Sequence, residues 1–160
     1  MVKRLILCAL VAAGASLAAA CGSTGNVADL EFQGVSSGYF DLGVVNGENK
    51  IVPSITFKLR NKGAEPVSAV QLNVHFQADG ADGNMDEMLT RVDADAIAPQ
   101  QSTGPITVRA KVGYTSAQAR AAMLRNSLFR DVTVRVFGKS GSGQWTQIGE
   151  FVVDRKILTQ

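Results

Sequence analysis

The sequence predicts a mainly β chain folded as a two-layer sandwich or a barrel. Three observations predict it. Apolar and polar residues alternate through several short runs, turn signals separate those runs, and one helical stretch occurs with no repeating βαβ pattern.

The clearest runs lie between Ile51 and Phe76. Ile55, Phe57 and Leu59 alternate with Thr56, Lys58 and Arg60. Val70, Leu72, Val74 and Phe76 alternate with Gln71, Asn73, His75 and Gln77. Side chains along a strand point to opposite faces in turn, so each run has one apolar and one wet face. Asn61-Lys62-Gly63-Ala64-Glu65-Pro66 joins them. Gly63 takes positive φ freely, Asn61 tolerates it, and Pro66 suits the start of a strand. The segment is too long for a two-residue hairpin. It either joins neighbours in one sheet or crosses between two packed sheets.

The other elements follow in order. Leu30 and Phe32 are the inward residues of a segment over 27–35, and 39–45 is the next strand. Asn46-Gly47 marks a hairpin turn. The polar loop 77–87 precedes a strand over 88–98, with Leu89 and either Val92 or Ile97 inward. Ile106, Val108, Ala110 and Val112 alternate with Thr107, Arg109 and Lys111. A crossover helix is expected over 115–128, opened by a Thr115–Gln118 capping box, with Ala121, Leu124 and Leu128 on one face. Val132, Val134 and Val136 define a strand, 139–143 a hairpin tip, and 145–153 the return, with a bulge at Gly149 or burial on both faces.

The run FKLRNKGAEPVSAVQLNVHF resembles the paired strands of immunoglobulin-like and fibronectin-type modules of bacterial envelope proteins. That resemblance implies an antiparallel immunoglobulin-like β-sandwich over 27–160, with the crossover helix packed against an end or face.

Residues 1–20 have the parts of a secretory signal peptide. Lys3-Arg4 is the basic start, Leu5 to Leu17 is apolar, and Ala18-Ala19-Ala20 precedes Cys21. The apolar stretch is shorter than the roughly 20 residues a spanning helix needs. Leu17-Ala18-Ala19-Ala20-Cys21 resembles the lipobox of bacterial lipoproteins, with Ala18 in the slot that the family usually fills with leucine. The resemblance implies diacylglycerol on the Cys21 thiol and an acyl group on its amine. It also implies a tether over 21–26, a membrane partner and, with Gly22 second, the outer membrane of a Gram-negative cell, facing the periplasm. Cys8 lies in the leader, so the mature chain forms no internal disulfide.

The 160 residues carry 16 Lys plus Arg and 14 Asp plus Glu, a net charge of +2. Losing Lys3 and Arg4 with the leader makes the mature chain neutral. A neutral surface gives no electrostatic reason to expect nucleic acid. Charged residues are 19% and aromatics 6%, so the core rests on Val, Ile, Leu, Ala and a few Phe.

Candidate chemistry is sparse. Asp79, Asp82, Asn84, Asp86 and Glu87 offer oxygen donors for calcium, though their spacing departs from the EF-hand pattern. Trp145, beside a hairpin tip, offers a platform for a sugar or a protein. His75 is the only histidine and shares the wet parity of its strand. No GxSxG elbow or phosphate loop occurs. The expectation is a non-enzymatic binding or structural module without a cofactor, partnered by another envelope protein. The alternatives are a carbohydrate- or calcium-binding module and a hydrolase whose carboxylate pair is assembled by folding.

Overall fold

The computed structural model describes residues 25–92 and 95–158. Cys21 and the leader lie outside that range. The described residues form two β-sheets with the core between them, one small β-ribbon, one 3₁₀ turn and one short α-helix.

The first sheet is built on β1 (Leu30–Val45) and β2 (Glu48–Asn61), paired antiparallel along most of their length. Asn46 and Gly47 turn between them at φ 52° and 84°, the paired positive values that a two-residue hairpin demands. β7 (Ile106–Arg109) and β8 (Tyr114–Ser116) pair with β2. β11 (Ile157–Leu158) runs parallel to β1 on its other side. Register shifts interrupt β1 after Gln33 and after Asp41, at Gly34 and Gly43, which both take positive φ.

The second sheet has the order β10 (Thr146–Val152), β9 (Val132–Ser140), β4 (Val70–Ala78), β5 (Asp86–Arg91). The ribbon pairs β3 (Val67–Ser68) with β6 (Ala96–Ile97). Ile51, Ile55, Phe57 and Leu59 from the first sheet and Leu72, Val74, Phe76, Val132, Val134 and Val136 from the second are fully buried in one core. The period-two reading of these strands holds.

The segment after Asn61 carries the chain from the first sheet to the second. Asn61 fixes that corner and is itself completely buried. Its Nδ2 donates to the carbonyls of Glu65 (2.8 Å) and Ile97 (2.9 Å), and its Oδ1 accepts the Gly63 N–H (2.8 Å). A buried amide holds its place when its donors and acceptor are matched in this way. The expected positive φ at Asn61 and Gly63 is not used.

Three expectations are corrected. Leu89 is 67% exposed, not inward. In the antiparallel register Val74 faces Met88 and Phe76 faces Asp86, so the even residues of β5 share the core face of β4. Val112 lies beyond the end of β7 and is exposed. The helix expected over 115–128 is shorter: α1 spans Arg120–Arg125. Thr115 sits in β8 opposite Lys50 and caps nothing, while the Gln118 N–H donates to Ser116 Oγ. The β8 ladder thus takes the residues that would have opened the helix. Asn126 ends α1 and its Oδ1 accepts the Leu128 N–H. That turn puts Phe129 in the core and leaves Leu128 86% exposed. The helix does join the first sheet to the second, as a crossover. Among the described residues no helix is long and apolar enough to cross a membrane.

The return strand has the bulge at Gly149. Gln147 pairs with Phe137 but Gly149 pairs with Val136, so one residue is extra. The bulge moves Phe151 onto the core parity.

Candidate functional site

The acidic loop is drawn into its own chain. Asp79 follows β4 directly, and its N–H donates to the Asp131 carbonyl (2.7 Å). Asp82 stands exposed at the loop tip. Asp86, on the inward parity of β5, accepts the Glu87 N–H at Oδ1. Its Oδ2 accepts the N–H groups of Lys111 (2.6 Å) and Val112 (3.2 Å), which ties the segment after β7 to the second sheet. Asn84 Nδ2 donates to Glu87 Oε1 (2.7 Å) and lies 3.1 Å from His75 Nδ1. Asn84, Asp86 and Glu87 therefore spend side-chain atoms on local hydrogen bonds, Asp79 is held through its backbone, and Asp82 stands exposed. Among the described residues no three of His, Cys, Asp and Glu gather where they could hold a metal ion.

His75 is on the outward parity of β4 but is not open to water all round. Its ring lies 4.7 Å from that of Phe137 on β9, centroid to centroid, and its Nε2 is 3.8 Å from Glu87 Oε2. These contacts place the half-buried His75 ring between Phe137, Asn84 and Glu87 on the outer face of the second sheet.

Trp145 precedes β10 at the tip of the β9–β10 hairpin and is 40% exposed. Lys139 Nζ lies over its ring, 4.9 Å from the centroid. Beside it a depression of about 490 Å³ is lined by Gly25, Asn26, Ser68, Ser140, Gln144 and Thr146, among others. Every one of its lining residues is uncharged.

A second surface feature was missed by sequence reasoning. On the outer face of the first sheet the Arg109 guanidinium lies 3.2 Å above the Phe40 ring. Ser36, Ser54, Thr56, Thr107 and Leu158 surround the pair. The signal was the adjacent Tyr39-Phe40 pair, since in a strand only one of two neighbours can enter the core. Tyr39 does, against Tyr114 and Phe129, and Phe40 is left outside under Arg109.

Electrostatics are local. The Arg135 guanidinium donates to Glu150 across β9 and β10 (2.8 Å) and holds that carboxyl below its ordinary range. Asp131 accepts from Arg155 (2.6 Å), and Asp41 pairs with Arg120. Burial pushes the Tyr39 and Tyr114 phenols above their ordinary value.

No protein-family model matches the chain, and no curated protein matches it. Among solved structures, the Northeast Structural Genomics Consortium target SoR45 is 15% identical, with a TM-score of 0.46 over 78% of this chain and 86% of that one. A Bordetella pertussis protein provisionally named ApaA is 17% identical, with a TM-score of 0.44 over 82% of this chain and 96% of that one. At these scores the likeness carries no argument about function.

Proposed function

We propose that the protein is an envelope lipoprotein, held to the membrane by acyl chains on Cys21, whose immunoglobulin-like sandwich is a non-enzymatic binding or structural module. In a Gram-negative cell it sits on the outer membrane and faces the periplasm, and its partner is another envelope protein. The observation that carries this reading is the order of parts in the chain. A basic, apolar, small-residue leader ends directly at Cys21, and the first described hydrogen bond of the fold comes only four positions later, at Gly25. Two or more acyl chains hold such a protein stably, whereas one gives only marginal binding. The non-enzymatic part is supported by how the polar groups are used. His75, Asp86, Asp131 and Glu150 each serve a contact that holds strands or loops together.

Mass spectrometry of the mature protein extracted from membranes tests the reading. The expected N-terminal peptide begins at Cys21 and carries diacylglyceryl and N-acyl groups. A mature chain beginning elsewhere, or an unmodified Cys21, overturns it.

A further inference from the structure

We propose that the end of the sandwich around Gly25 rests on the lipid bilayer, with Trp145 and Lys139 in the headgroup layer. The inference depends on the lipoprotein reading and adds an orientation and a contact surface to it.

The first argument is chain length. The Gly25 N–H donates to the Pro66 carbonyl (2.9 Å), and Asn26 caps the 3₁₀ turn Val27–Asp29. The chain is therefore fixed to the sandwich from Gly25 onward. Cys21 is four residues earlier, and four extended residues reach about 14 Å at most. An acylated Cys21 thus keeps this end of the sandwich within that distance of the headgroups.

The second argument is what shares that end. The β9–β10 hairpin is pinned to it, because Ser140 Oγ donates to the Ser68 carbonyl (2.6 Å) and the Gly141 N–H to the Ala69 carbonyl (3.1 Å). A Cβ on Gly138 would lie 3.5 Å from Val27 Cβ, so the hairpin and the chain entry are in contact. The tip presents the half-exposed indole of Trp145 with the Lys139 ammonium over its ring. Tryptophan is enriched where one side of the ring is apolar and the other wet, and lysine carries its charge to the phosphate level on an apolar stem. No carboxylate lines the depression between the tip and Gly25. Glu65 and Asp29 lie close to this end as well, against Gly25 and Gly63. The contact is therefore made by one hairpin and not by a basic platform, and it depends little on salt.

The opposite end is held away. β1 carries the chain 16 residues from Leu30 to Val45, up to roughly 50 Å at about 3.3 Å per residue, so Leu42 and Val44 face the periplasm.

Trp145 is the only tryptophan, so its fluorescence reports this surface alone. The acylated full-length mature protein is reconstituted into vesicles of phosphatidylethanolamine and phosphatidylglycerol and compared with the soluble Cys21→Ser protein. On anchoring, the emission should shift to the blue, brominated phospholipids should quench it, and the acrylamide quenching constant should fall by about two-fold or more, as for an indole at the membrane interface. A reporter at the far end, Leu42→Trp in a Trp145→Phe background, should remain as open to acrylamide as in solution. An acylated protein whose Trp145 is equally quenched by acrylamide in vesicles and in solution overturns the inference and leaves the lipoprotein reading standing. A mature protein with no acyl group overturns both.

Discussion

Phe32 on β1 and Phe151 on β10 meet edge to face, with ring centroids 5.0 Å apart, and this contact ties the two sheets together beside the bulge. Phe57 on β2 closes the group at 4.9 Å from Phe32. The geometry depends on Gly149. A Cβ there would lie 2.7 Å from Phe32 Cε2 and 2.9 Å from Phe151 Cε2. Gly149→Ala should therefore destabilise the fold by about 1–3 kcal/mol, the usual cost of forcing a methyl group into a filled core. Urea unfolding of the two proteins measures it, and an unchanged midpoint would mean that the rings are not packed as described.

Asn61→Ala should cost about 2–3 kcal/mol, because it leaves the Glu65 and Ile97 carbonyls and the Gly63 N–H at a buried corner without their partner. The midpoint of denaturation should fall while its slope stays constant. A loss below about 0.5 kcal/mol, the range of an ordinary surface change, would remove Asn61 as the fixing point of the crossover.

How far the fold could be read from the residues is shown by these same positions. The alternation through the second half of β2, from Ile55 to Asn61, and through β4 and β9 was legible because one face is buried there. The mixed parity around Gly149 pointed to a bulge or to burial on both faces, of which the structure has the bulge. Leu89 was misread because β5 is an edge strand whose parity is set by pairing with β4. Local hydrophobicity does not report that register. The length of α1 was misread because Thr115 and Gln118 suit a helix start, yet the ladder to β2 claims Tyr114–Ser116 first. Asn61 looked like a turn residue, and only the assembled corner gives its amide three backbone partners. The place of Trp145 beside a hairpin tip was legible, whereas the Phe40–Arg109 pair needed β2 and β7 side by side.

Parity in the second sheet gives a paired test. Leu89→Ser should change stability by less than about 0.5 kcal/mol, as exposed positions do. Leu72→Ala, on the neighbouring strand and fully buried, should cost about 2–5 kcal/mol. Equal losses from the two variants would mean that β5 is turned over.

The chain has two tyrosines, Tyr39 and Tyr114, and burial raises both phenols above their ordinary value of 10.0. The folded state therefore prefers the protonated phenols. Their contribution to stability is complete below pH 10 and is lost as the pH rises further toward the folded-state values. In an ultraviolet titration, tyrosinate absorbance should appear at higher pH than for free tyrosine and should rise together with unfolding. Tyr39→Phe should move that alkaline unfolding upward. A reversible titration of both phenols near pH 10 in the folded protein would contradict their burial.

Membrane fractionation of cells producing the wild-type chain or Cys21→Ser tests most directly whether the sandwich is an anchored envelope module. Wild-type protein should sediment with the outer membrane, and Cys21→Ser should appear in the soluble fraction with the sandwich intact. A wild-type protein that is soluble, or a variant that still sediments with membranes, would contradict the account.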